Sequence, residues 1–310
     1  MKILITGSNG LVGSNVSSFL QNKNSKYEII NSNRQDTDLF DFNKTKKLLN
    51  NVKPDVLVNC AAKVGGIVAN NSRRTEFILD NLKINTNLLE ASIDLNEIKI
   101  INLGSSCIYP LNAPNPIKEN SFMNGVLEPT NSPYAMAKLT AIELGRAISS
   151  QYGHKIINLM PTNLYGPNDY FSPTQSHVIP GLMYRMHLSK ENKEKEFKIW
   201  GTGKPLREFL YVEDFADAID FIINSEWSED LINIGSGEEI SIKDLSELLK
   251  NIIGFDGNLL FDTSKPDGNP RKFLDSSVMF EKGWRPKTSL FNGLTKTYDW
   301  LLSNFENIRI

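Results

Sequence analysis

A glycine-rich turn near the start of the chain is the feature that most restricts its fold. Gly7, Gly10 and Gly13 follow a short apolar segment, residues 2–6, and precede a helical pattern that runs from Ser14 to about residue 21. Glycines with this spacing between a strand and a helix allow a tight turn and bring a pyrophosphate close to the backbone at the helix N-terminus. The stretch therefore predicts a dinucleotide site, whose residues are Gly7, Ser8, Asn9, Gly10, Leu11, Val12 and Gly13.

Strand and helix patterns alternate after this turn. Short apolar runs predict buried parallel strands, and runs with helical periodicity separate them. The predicted strands are residues 27–31, 54–62, 98–103 and 156–160, and the main predicted helices are residues 44–51, 77–95 and 134–152. This alternation predicts an α/β protein with a doubly wound parallel sheet of Rossmann type.

The pattern changes near residue 170, where proline and glycine become frequent. We therefore predict two domains: residues 1–170 bind the dinucleotide, and residues 171–310 form mainly a second, smaller α/β substrate domain. The segment 231–235 is expected to return to the main sheet. Serines are expected to cap two helices of the second part, Ser176 before the helix that starts at residues 177–180 and Ser241 before the helix at 241–252.

Composition narrows the class of protein. The chain has 310 residues and a net charge of -2, so its charge gives no reason to expect a nucleic-acid or membrane partner. It contains no apolar run near twenty residues and no signal-peptide pattern at its start. Its two cysteines, Cys60 and Cys107, make no disulfide framework and no metal-ligand spacing. We expect a cytoplasmic protein without a metal site, and Cys60 as a small core residue.

A tyrosine and a lysine four residues apart carry the strongest catalytic signal. Tyr134 and Lys138 share one face of a predicted helix, and Ser105 follows the predicted strand 98–103. A nearby ammonium group lowers the pKa of a tyrosine, so we expect Lys138 to lower the pKa of Tyr134 toward neutrality. A serine, a tyrosine and a lysine around one oxygen suit the reduction of a carbonyl or the oxidation of an alcohol.

The end of the second predicted strand bears on the choice of cofactor. Dinucleotide folds often place an acid there to hold the ribose 2′-hydroxyl, but this chain has no acid until Asp36. Arg34 stands there instead and suits a 2′-phosphate, which favours NADP(H); the alternative is a solvated surface arginine.

These motifs resemble the extended short-chain dehydrogenase/reductase family. The resemblance runs nearly end to end and is close to the members that act on GDP-linked 4-keto-6-deoxy sugars. The glycine turn and the Tyr-x-x-x-Lys pattern are common to the wider superfamily, whereas other stretches are more specific. The more specific stretches are residues 61–71, 104–110, 127–131, 160–167, 176–180, 200–203, 207–210 and 264–268.

The resemblance implies a role for each catalytic candidate. Tyr134 would protonate the C4 oxygen of the sugar, Lys138 would hold the nicotinamide ribose, and Ser105 would polarise the ketone. Cys107 and His177 match the pair that epimerises C3 and C5 in these enzymes. A thiolate and an imidazole titrate near neutral pH, as such proton transfers require. Outside the resemblance, Cys107 would more often be a core cysteine.

The resemblance also implies the binding residues. Those for NADP(H) are, besides the glycine turn and Arg34, Leu103, Gly104, Lys138, Pro161, Asn163, Leu164 and His177. Those for the nucleotide sugar are Arg185, Trp200, Arg207, Lys265 and Asp275. Arginine suits a pyrophosphate through charge-assisted bonds. The alternative role of Trp200 is ordinary core packing. The alternative for Asp275 is that it merely ends a strand and binds no ligand.

Several alternatives stay open. Relatives often carry a basic residue where this chain has Ser8 and Asn9, which leaves the 2′-phosphate to Arg34. The substrate is a hexose or a 6-deoxy-heptose, and some heptose enzymes only reduce. A 4,6-dehydratase would be expected to have an acidic pair where this chain has Ser106 and Cys107. A non-catalytic regulator usually lacks the tyrosine or the lysine. The resemblance also implies a homodimer that pairs the helices at 77–95 and 134–152 as a four-helix bundle.

Overall fold

The computed structural model describes residues 1–95, 98–265 and 267–310, so Pro266 of the motif at 264–268 lies outside the described residues. The strands are β1 Lys2–Thr6, β2 Glu28–Ser32, β3 Val56–Asn59, β4 Lys99–Leu103, β5 Lys155–Pro161, β6 Asn163–Tyr165, β7 Glu196–Trp200, β8 Leu206–Tyr211, β9 Leu231–Ile234, β10 Glu239–Ser241, β11 Asn258–Asp262 and β12 Arg271–Lys272. The α-helices are α1 Leu11–Lys23, α2 Phe42–Val52, α3 Ile67–Ser72, α4 Arg74–Ser92, α5 Ser132–Tyr152, α6 Val178–Glu191, α7 Val212–Ile223, α8 Ile242–Ile253, α9 Ser277–Glu281 and α10 Leu290–Ser303.

The main sheet has six strands in the order β2-β1-β3-β4-β5-β9, and every pair is parallel. After β1 the chain goes to β2 on one side of the sheet and then to β3 on the other. Such a reversal opens a crevice at the carboxyl ends of the strands, where open α/β sheets bind their ligands. The predicted doubly wound parallel sheet is confirmed, and β9, from the second half of the chain, pairs with β5.

Alternation along the strands builds a core on each face of the sheet. Ile3 and Ile5 join the core beneath α1 and α7, whereas Leu4 joins the core beneath α2, α4 and α5. This follows from the period of two in a strand, which sends neighbouring side chains to opposite faces. Both faces are covered, which explains why the strands are almost entirely apolar.

Polar side chains form a ladder across four strands of this apolar sheet. Thr6, Asn59, Asn102 and Asn158 lie in register on β1, β3, β4 and β5. The Asn59 amide donates to Asn102 at 3.0 Å, the Asn102 amide donates to Asn158 at 3.0 Å, and the Thr6 hydroxyl donates to Asn59 at 2.9 Å. All four residues are buried. A slip of one residue would break every bond in this ladder, so it fixes the strand register.

The second half of the chain adds smaller sheets and its own core. Strand β8 pairs with β6, β10 and β12, and β7 pairs with β11. Their apolar sides pack with α6, α8 and α10 around a cluster that includes Phe171, Met183, Phe197 and Leu249. The division at residue 170 stays a prediction.

Local signals give the helices with small errors at their ends. Helix α1 begins at Leu11 and not at Ser14, so Gly13 lies inside it. The Ser241 cap is confirmed, because its side chain accepts a bond from the backbone N–H of Asp244 at 3.0 Å. The Ser176 cap is wrong: its hydroxyl donates to the Ser172 carbonyl at 2.5 Å, and His177 occupies the N-cap position.

In the part of the chain that the structure describes, no helix combines the length and the apolar character needed to cross a bilayer.

We predict that Asn102→Ala lowers the free energy of unfolding by about 3 kcal/mol. The change removes one of the two acceptors of the buried Asn59 amide, which keeps Asn85, and the donor to the buried side-chain oxygen of Asn158. Urea unfolding followed by circular dichroism measures the change. Asn50→Ala, at an exposed position of α2, is the matched control and should cost less than about 0.5 kcal/mol. Equal losses for the two variants would contradict the role of the ladder.

Candidate active site

Tyr134 and Lys138 lie one turn apart in α5, and both are buried. The Lys138 ammonium donates to the backbone carbonyl of Leu103, at the end of β4, over 2.6 Å. Its nitrogen also lies 5.9 Å from the centre of the Tyr134 ring. The pair is thus fixed to the carboxyl edge of the main sheet, where the fold places its crevice.

Burial changes the charge behaviour of Lys138. Desolvation lowers its pKa to about 8, and a nearby Cys60 thiolate would act in the opposite direction. Cys60 itself packs against the main core, and burial raises its pKa to about 12. Lys138 is therefore a lysine whose proton is held less tightly than usual, as expected of a buried functional amine.

The pKa of Tyr134 differs from the sequence expectation. Burial raises it well above the usual value, a Cys107 thiolate would raise it further, and the Ser105 hydroxyl lowers it only in part. The predicted lowering by Lys138 is wrong for this arrangement, because the ammonium is directed at Leu103. Tyr134 is consequently a neutral phenol at pH 7, the form that can donate a proton.

A short 3-10 turn, Ser106–Ile108, follows β4 and contains Cys107. Ser105 precedes this turn, and its hydroxyl accepts a bond from the backbone N–H of Cys107 at 3.2 Å. Cys107 is half-buried and packs against Phe77 and Tyr134. The structure therefore brings Ser105, Cys107 and Tyr134 together, as the sequence predicts for three residues of one site.

His177 stands at the N-terminus of α6, and its side chain is exposed. Surrounding protein still lowers its pKa by desolvation. Both observations fit a side chain on the wall of a cleft, where protein surrounds the ring but water reaches it. The neighbouring Gln175 carbonyl accepts a bond from the Gly66 N–H at 2.9 Å, and a Cβ on Gly65 would lie 3.2 Å from the Phe77 ring. The loop just before His177 therefore packs on the segment beside Phe77, which belongs to the same cluster as Cys107.

The glycine turn has the shape and the unused polar group that a dinucleotide requires. Gly7 has a φ of +66°, and a Cβ there would lie 2.8 Å from the backbone of Ala61. The Ser8 hydroxyl is buried and, within the described chain, has no hydrogen-bond partner. The N-terminus of α1 directly follows Gly10. A pyrophosphate at this turn would receive the helix N–H groups and the Ser8 hydroxyl, so the residues fit NADP(H).

Arg34 lies two residues after the end of β2 and is exposed. Its guanidinium lies 5.1 Å from the centre of the Phe40 ring, so its charged end is held beside the sheet edge. The Ser8 N–H donates to the Ser32 carbonyl at 3.2 Å, which joins the glycine turn to the end of β2. The Asp36 carboxylate accepts a bond from the Asn33 N–H, so the acid of this loop is occupied with its own backbone.

The remaining cofactor candidates follow β4 and β5. Leu103 supplies the carbonyl for Lys138, and a Cβ on Gly104 would overlap the Met160 side chain. Pro161 ends β5, and Asn163 and Leu164 begin β6. The Asn163 amide donates to the Glu208 carbonyl at 2.8 Å, which holds this loop against β8. These positions line the same carboxyl edge as the glycine turn.

Two arginines of the second half of the chain, Arg185 and Arg207, are suited to bind an anionic ligand. Arg185 lies over the Phe197 ring at 5.1 Å and the Trp200 ring at 5.7 Å, and Trp200 is 46% exposed. The core-packing alternative for Trp200 therefore does not fit. Arg207 lies close enough to Cys107 and Asp267 for their charges to raise its pKa, although burial lowers it more. Partly buried guanidinium groups of this kind suit phosphates.

Lys265 and Asp275 are less closely joined to this cluster. Lys265 lies exposed in the loop after β11, next to a residue outside the described part. The Asp275 carboxylate accepts a bond from the Ser277 N–H at 3.0 Å. Burial raises the pKa of Asp275, but the bonds from Ser277 and the charge of Lys118 outweigh it and lower the pKa. Substrate roles for Lys265 and Asp275 stay predictions.

Two residues that make clear contacts in the structure, Asn131 and Glu208, received no role in the sequence analysis. Asn131 directly precedes α5, and its amide donates to the Cys107 sulfur at 3.5 Å. Glu208 is fully buried, and its carboxylate accepts bonds from the N–H groups of Gly237 at 2.9 Å and Leu274 at 3.2 Å. The available signal for Glu208 was an acidic residue that directly precedes the apolar residues Phe209 and Leu210 of β8, because buried acids need partners.

Taken together, the glycine turn on a doubly wound sheet and the serine–tyrosine–lysine cluster define a dinucleotide-dependent oxidoreductase. The sequence pattern of the NAD dependent epimerase/dehydratase family matches residues 3–235, and the chain belongs to that family.

Individual relatives match along nearly the whole chain. "GDP-L-fucose synthase 1" of Arabidopsis thaliana is 45% identical over 306 residues, which cover 99% of this chain and 94% of the relative. A solved GDP-L-fucose synthetase of Naegleria fowleri bound to NADP is 30% identical, with a TM-score of 0.91 over 100% of this chain and 96% of the other. A GDP-6-OMe-4-keto-L-xylo-heptose reductase of C. jejuni is 31% identical, with a TM-score of 0.90 over 98% of each chain.

We predict that Lys138 makes folding more favourable as the pH rises from 8 to 10. The folded state releases the Lys138 proton near pH 8, whereas the unfolded chain keeps it until about pH 10.4. The unfolded state therefore binds more protons in this window, so stability rises with pH. The free energy of unfolding of the wild type minus that of Lys138→Met should increase by on the order of 2 kcal/mol.

Guanidinium unfolding at pH 7.5, 9 and 10 measures this difference. Lys155→Met is the matched control, because the Lys155 side chain is 65% exposed, and its difference from the wild type should stay constant. A constant difference for Lys138→Met as well would contradict the lowered pKa.

Proposed function

We propose that the protein converts GDP-4-keto-6-deoxy-D-mannose to GDP-L-fucose, with epimerisation at C3 and C5 followed by NADPH-dependent reduction of the C4 ketone. The observation that carries this proposal is the position of Cys107, which packs against the ring of Tyr134 in one cluster. A proton-transfer group and a reducing Tyr–Lys pair therefore share one site. Relatives with 45% identity along nearly the whole chain are named GDP-L-fucose synthase, which supports this product.

Cys107 and His177 carry the epimerisation. The C4 ketone makes the neighbouring C3 and C5 protons acidic, and inversion needs a base on one face and an acid on the other. Cys107 faces the site beside Tyr134, and His177 lines the cleft wall with its pKa lowered by desolvation. A lowered pKa keeps the imidazole neutral at pH 7, so it can accept a proton. The thiol and the imidazole are thus suited to exchange these roles at the two carbons.

Tyr134, Ser105 and Lys138 carry the reduction. When bound, NADPH supplies the hydride for C4. Tyr134 remains protonated because burial raises its pKa, and it gives its proton to the C4 oxygen. The Ser105 hydroxyl donates a hydrogen bond to the same oxygen and polarises the ketone. The Lys138 ammonium, which its bond to the Leu103 carbonyl holds at the sheet edge, binds the nicotinamide ribose.

A hexose substrate is favoured over a heptose. Support comes from the relatives named GDP-L-fucose synthase, which reach 45% identity over nearly the whole chain. The solved GDP-L-fucose synthetase and the solved heptose reductase, at 30% and 31% identity, do not separate the two sugars. A C4 reductase that does not epimerise would have no use for Cys107 beside Tyr134. The alternative substrate is a related GDP-4-keto-6-deoxy-heptose, which would use the same residues. For either sugar, Arg185 and Arg207 suit the pyrophosphate of GDP, and exposed Trp200 suits stacking on its base or sugar.

The enzyme acts as a cytoplasmic homodimer. A thiol that transfers protons must stay reduced, and the cytoplasm keeps thiols reduced. Helices α4 and α5 pack together and expose Leu79 and Met136, each nearly half accessible. Paired with a second copy, they would make a four-helix bundle.

Sedimentation should give the mass of two chains for the wild type, and Leu79→Glu combined with Met136→Glu should give the mass of one chain. A single-chain mass for the wild type would contradict the dimer.

We predict that Tyr134→Phe and Cys107→Ala separate the two halves of the reaction. Tyr134→Phe should slow NADPH oxidation by at least about a hundredfold, because the proton donor is lost, while deuterium from D2O still enters C3 and C5. Cys107→Ala should slow this deuterium entry by a similar factor. Mass spectrometry of the sugar and absorbance of NADPH measure both steps. Loss of both activities in each variant, or of neither, would contradict the division of roles.

The role of Arg34 predicts a change in cofactor preference. Arg34→Leu should raise the KM for NADPH by at least about tenfold, because a charged bond to the 2′-phosphate is lost, and should leave the KM for NADH unchanged. Initial rates with each cofactor measure this. Lys47→Leu removes an exposed cation from α2 and serves as the control. An equal effect on NADPH and NADH would show that Arg34 does not read the phosphate.

A further inference from the structure

Asn131 makes a contact with Cys107 that the fold does not require. Its side-chain nitrogen donates to the sulfur at 3.5 Å, a normal distance for an N–H bond to sulfur. Its side-chain oxygen is buried and has no hydrogen-bond partner within the described residues. Leaving a buried amide oxygen without a partner costs stability, and an apolar side chain of similar size would avoid that cost. Such a cost is typical of functional positions.

The backbone of Asn131 is firmly placed. The Glu128 carboxylate accepts bonds from the Asn131 N–H at 3.1 Å, from the Thr130 N–H at 3.1 Å and from the Thr130 hydroxyl at 2.5 Å. Asn131 is also the residue before the first turn of α5, although its side chain does not cap that helix. The amide is therefore held toward Cys107 and not toward the helix backbone.

A cation and a helix N-terminus lie near the Cys107 sulfur. Arg207 faces Cys107 from β8, and a thiolate would raise the arginine pKa in return. The N-terminus of α5 lies next to Asn131, and helix N-termini attract anions. Within the described residues, Tyr134 also faces the sulfur, and it is neutral at pH 7. Phe77, from α4, contributes an apolar surface. Among these groups, Asn131 provides the direct donor.

We propose that Asn131 is a positioning residue for the epimerisation, whose amide holds the Cys107 sulfur toward the substrate and stabilises its thiolate form. The inference rests on the proposed function, because the proposed epimerisation requires Cys107 to act as a base. A thiolate gains more from an N–H donor than a thiol does, since bonds to charged acceptors are stronger. The Asn131 amide thus favours the form of Cys107 that removes a proton, and Tyr134 and Lys138 are not involved.

Asn131→Asp tests this donor with little change in shape. The carboxylate suits a helix N-terminus, so folding is preserved, but it has no N–H for the sulfur. Alkylation by iodoacetamide, with Cys107 and Cys60 separated by peptide mass spectrometry, should be at least threefold slower for Cys107 at pH 7. At pH 10, which lies above the usual pKa of a cysteine thiol, the rate should match the wild type. Asn131→Ala should behave likewise, and Asn124→Asp, at an exposed position, should change nothing.

Two activity readouts complete the test. Deuterium entry at C3 and C5 should be at least tenfold slower in Asn131→Asp. The first turnover of GDP-L-fucose with NADP+, which needs only the C4 step, should stay within twofold of the wild type. Wild-type alkylation at pH 7 in the variant would overturn the inference, as would slow alkylation at both pH values, which indicates blocked access. Absence of deuterium entry in the wild type would instead overturn the proposed function, and the alkylation result would still decide whether Asn131 stabilises the thiolate.

Discussion

The buried ladder of Thr6, Asn59, Asn102 and Asn158 is the constraint on which the rest of the structure depends. It crosses β1, β3, β4 and β5 in register, inside a sheet whose two faces are otherwise mainly apolar. Apolar contacts tolerate a shift along the strand direction, whereas these bonds do not. The ladder therefore fixes where each strand ends, and the strand ends are where the functional side chains begin.

The active site follows from those strand ends. The glycine turn follows β1, and Ser105 and the turn with Cys107 follow β4. The cofactor candidates Pro161 and Asn163 lie at the end of β5 and just after it. Helix α5 is then attached to this edge by the bond from Lys138 to Leu103. Because the ammonium is buried in making this bond, its pKa falls, and the same burial keeps the Tyr134 phenol protonated. The chemistry of the reducing groups is thus a result of how the helix packs on the sheet.

The second half of the chain completes the site through a buried acid. Glu208 joins the loops after β9 and β12 by its carboxylate and the loop before β6 by its carbonyl. Arg207, the preceding residue, faces Cys107. A carboxylate without charge partners is costly to bury, but these N–H donors satisfy it. The cation proposed for the nucleotide and the thiol proposed for epimerisation are therefore held by one strand, β8, against the edge of the main sheet.

Local patterns predicted most of this arrangement, and tertiary contacts decided the rest. The glycine turn and the Tyr-x-x-x-Lys spacing are properties of a few neighbouring residues, so they can be identified in the sequence. The pKa of Tyr134 depends on burial and on the direction of a lysine head group, which spacing does not give. The predicted Ser176 cap is wrong because the Ser176 hydroxyl donates to the Ser172 carbonyl and not to the helix. The contact of Asn131 with Cys107 joins residues 24 apart, and only the fold brings them together.

The roles proposed for Cys107, His177 and Tyr134 all require that epimerisation and reduction occur at one site. The most direct measurement is to incubate the wild-type enzyme with GDP-4-keto-6-deoxy-D-mannose and NADPH in D2O, and to identify the product by NMR and mass spectrometry. The account predicts GDP-L-fucose with carbon-bound deuterium at both C3 and C5. A reduced GDP-6-deoxy sugar that keeps the mannose configuration and carries no deuterium would contradict it.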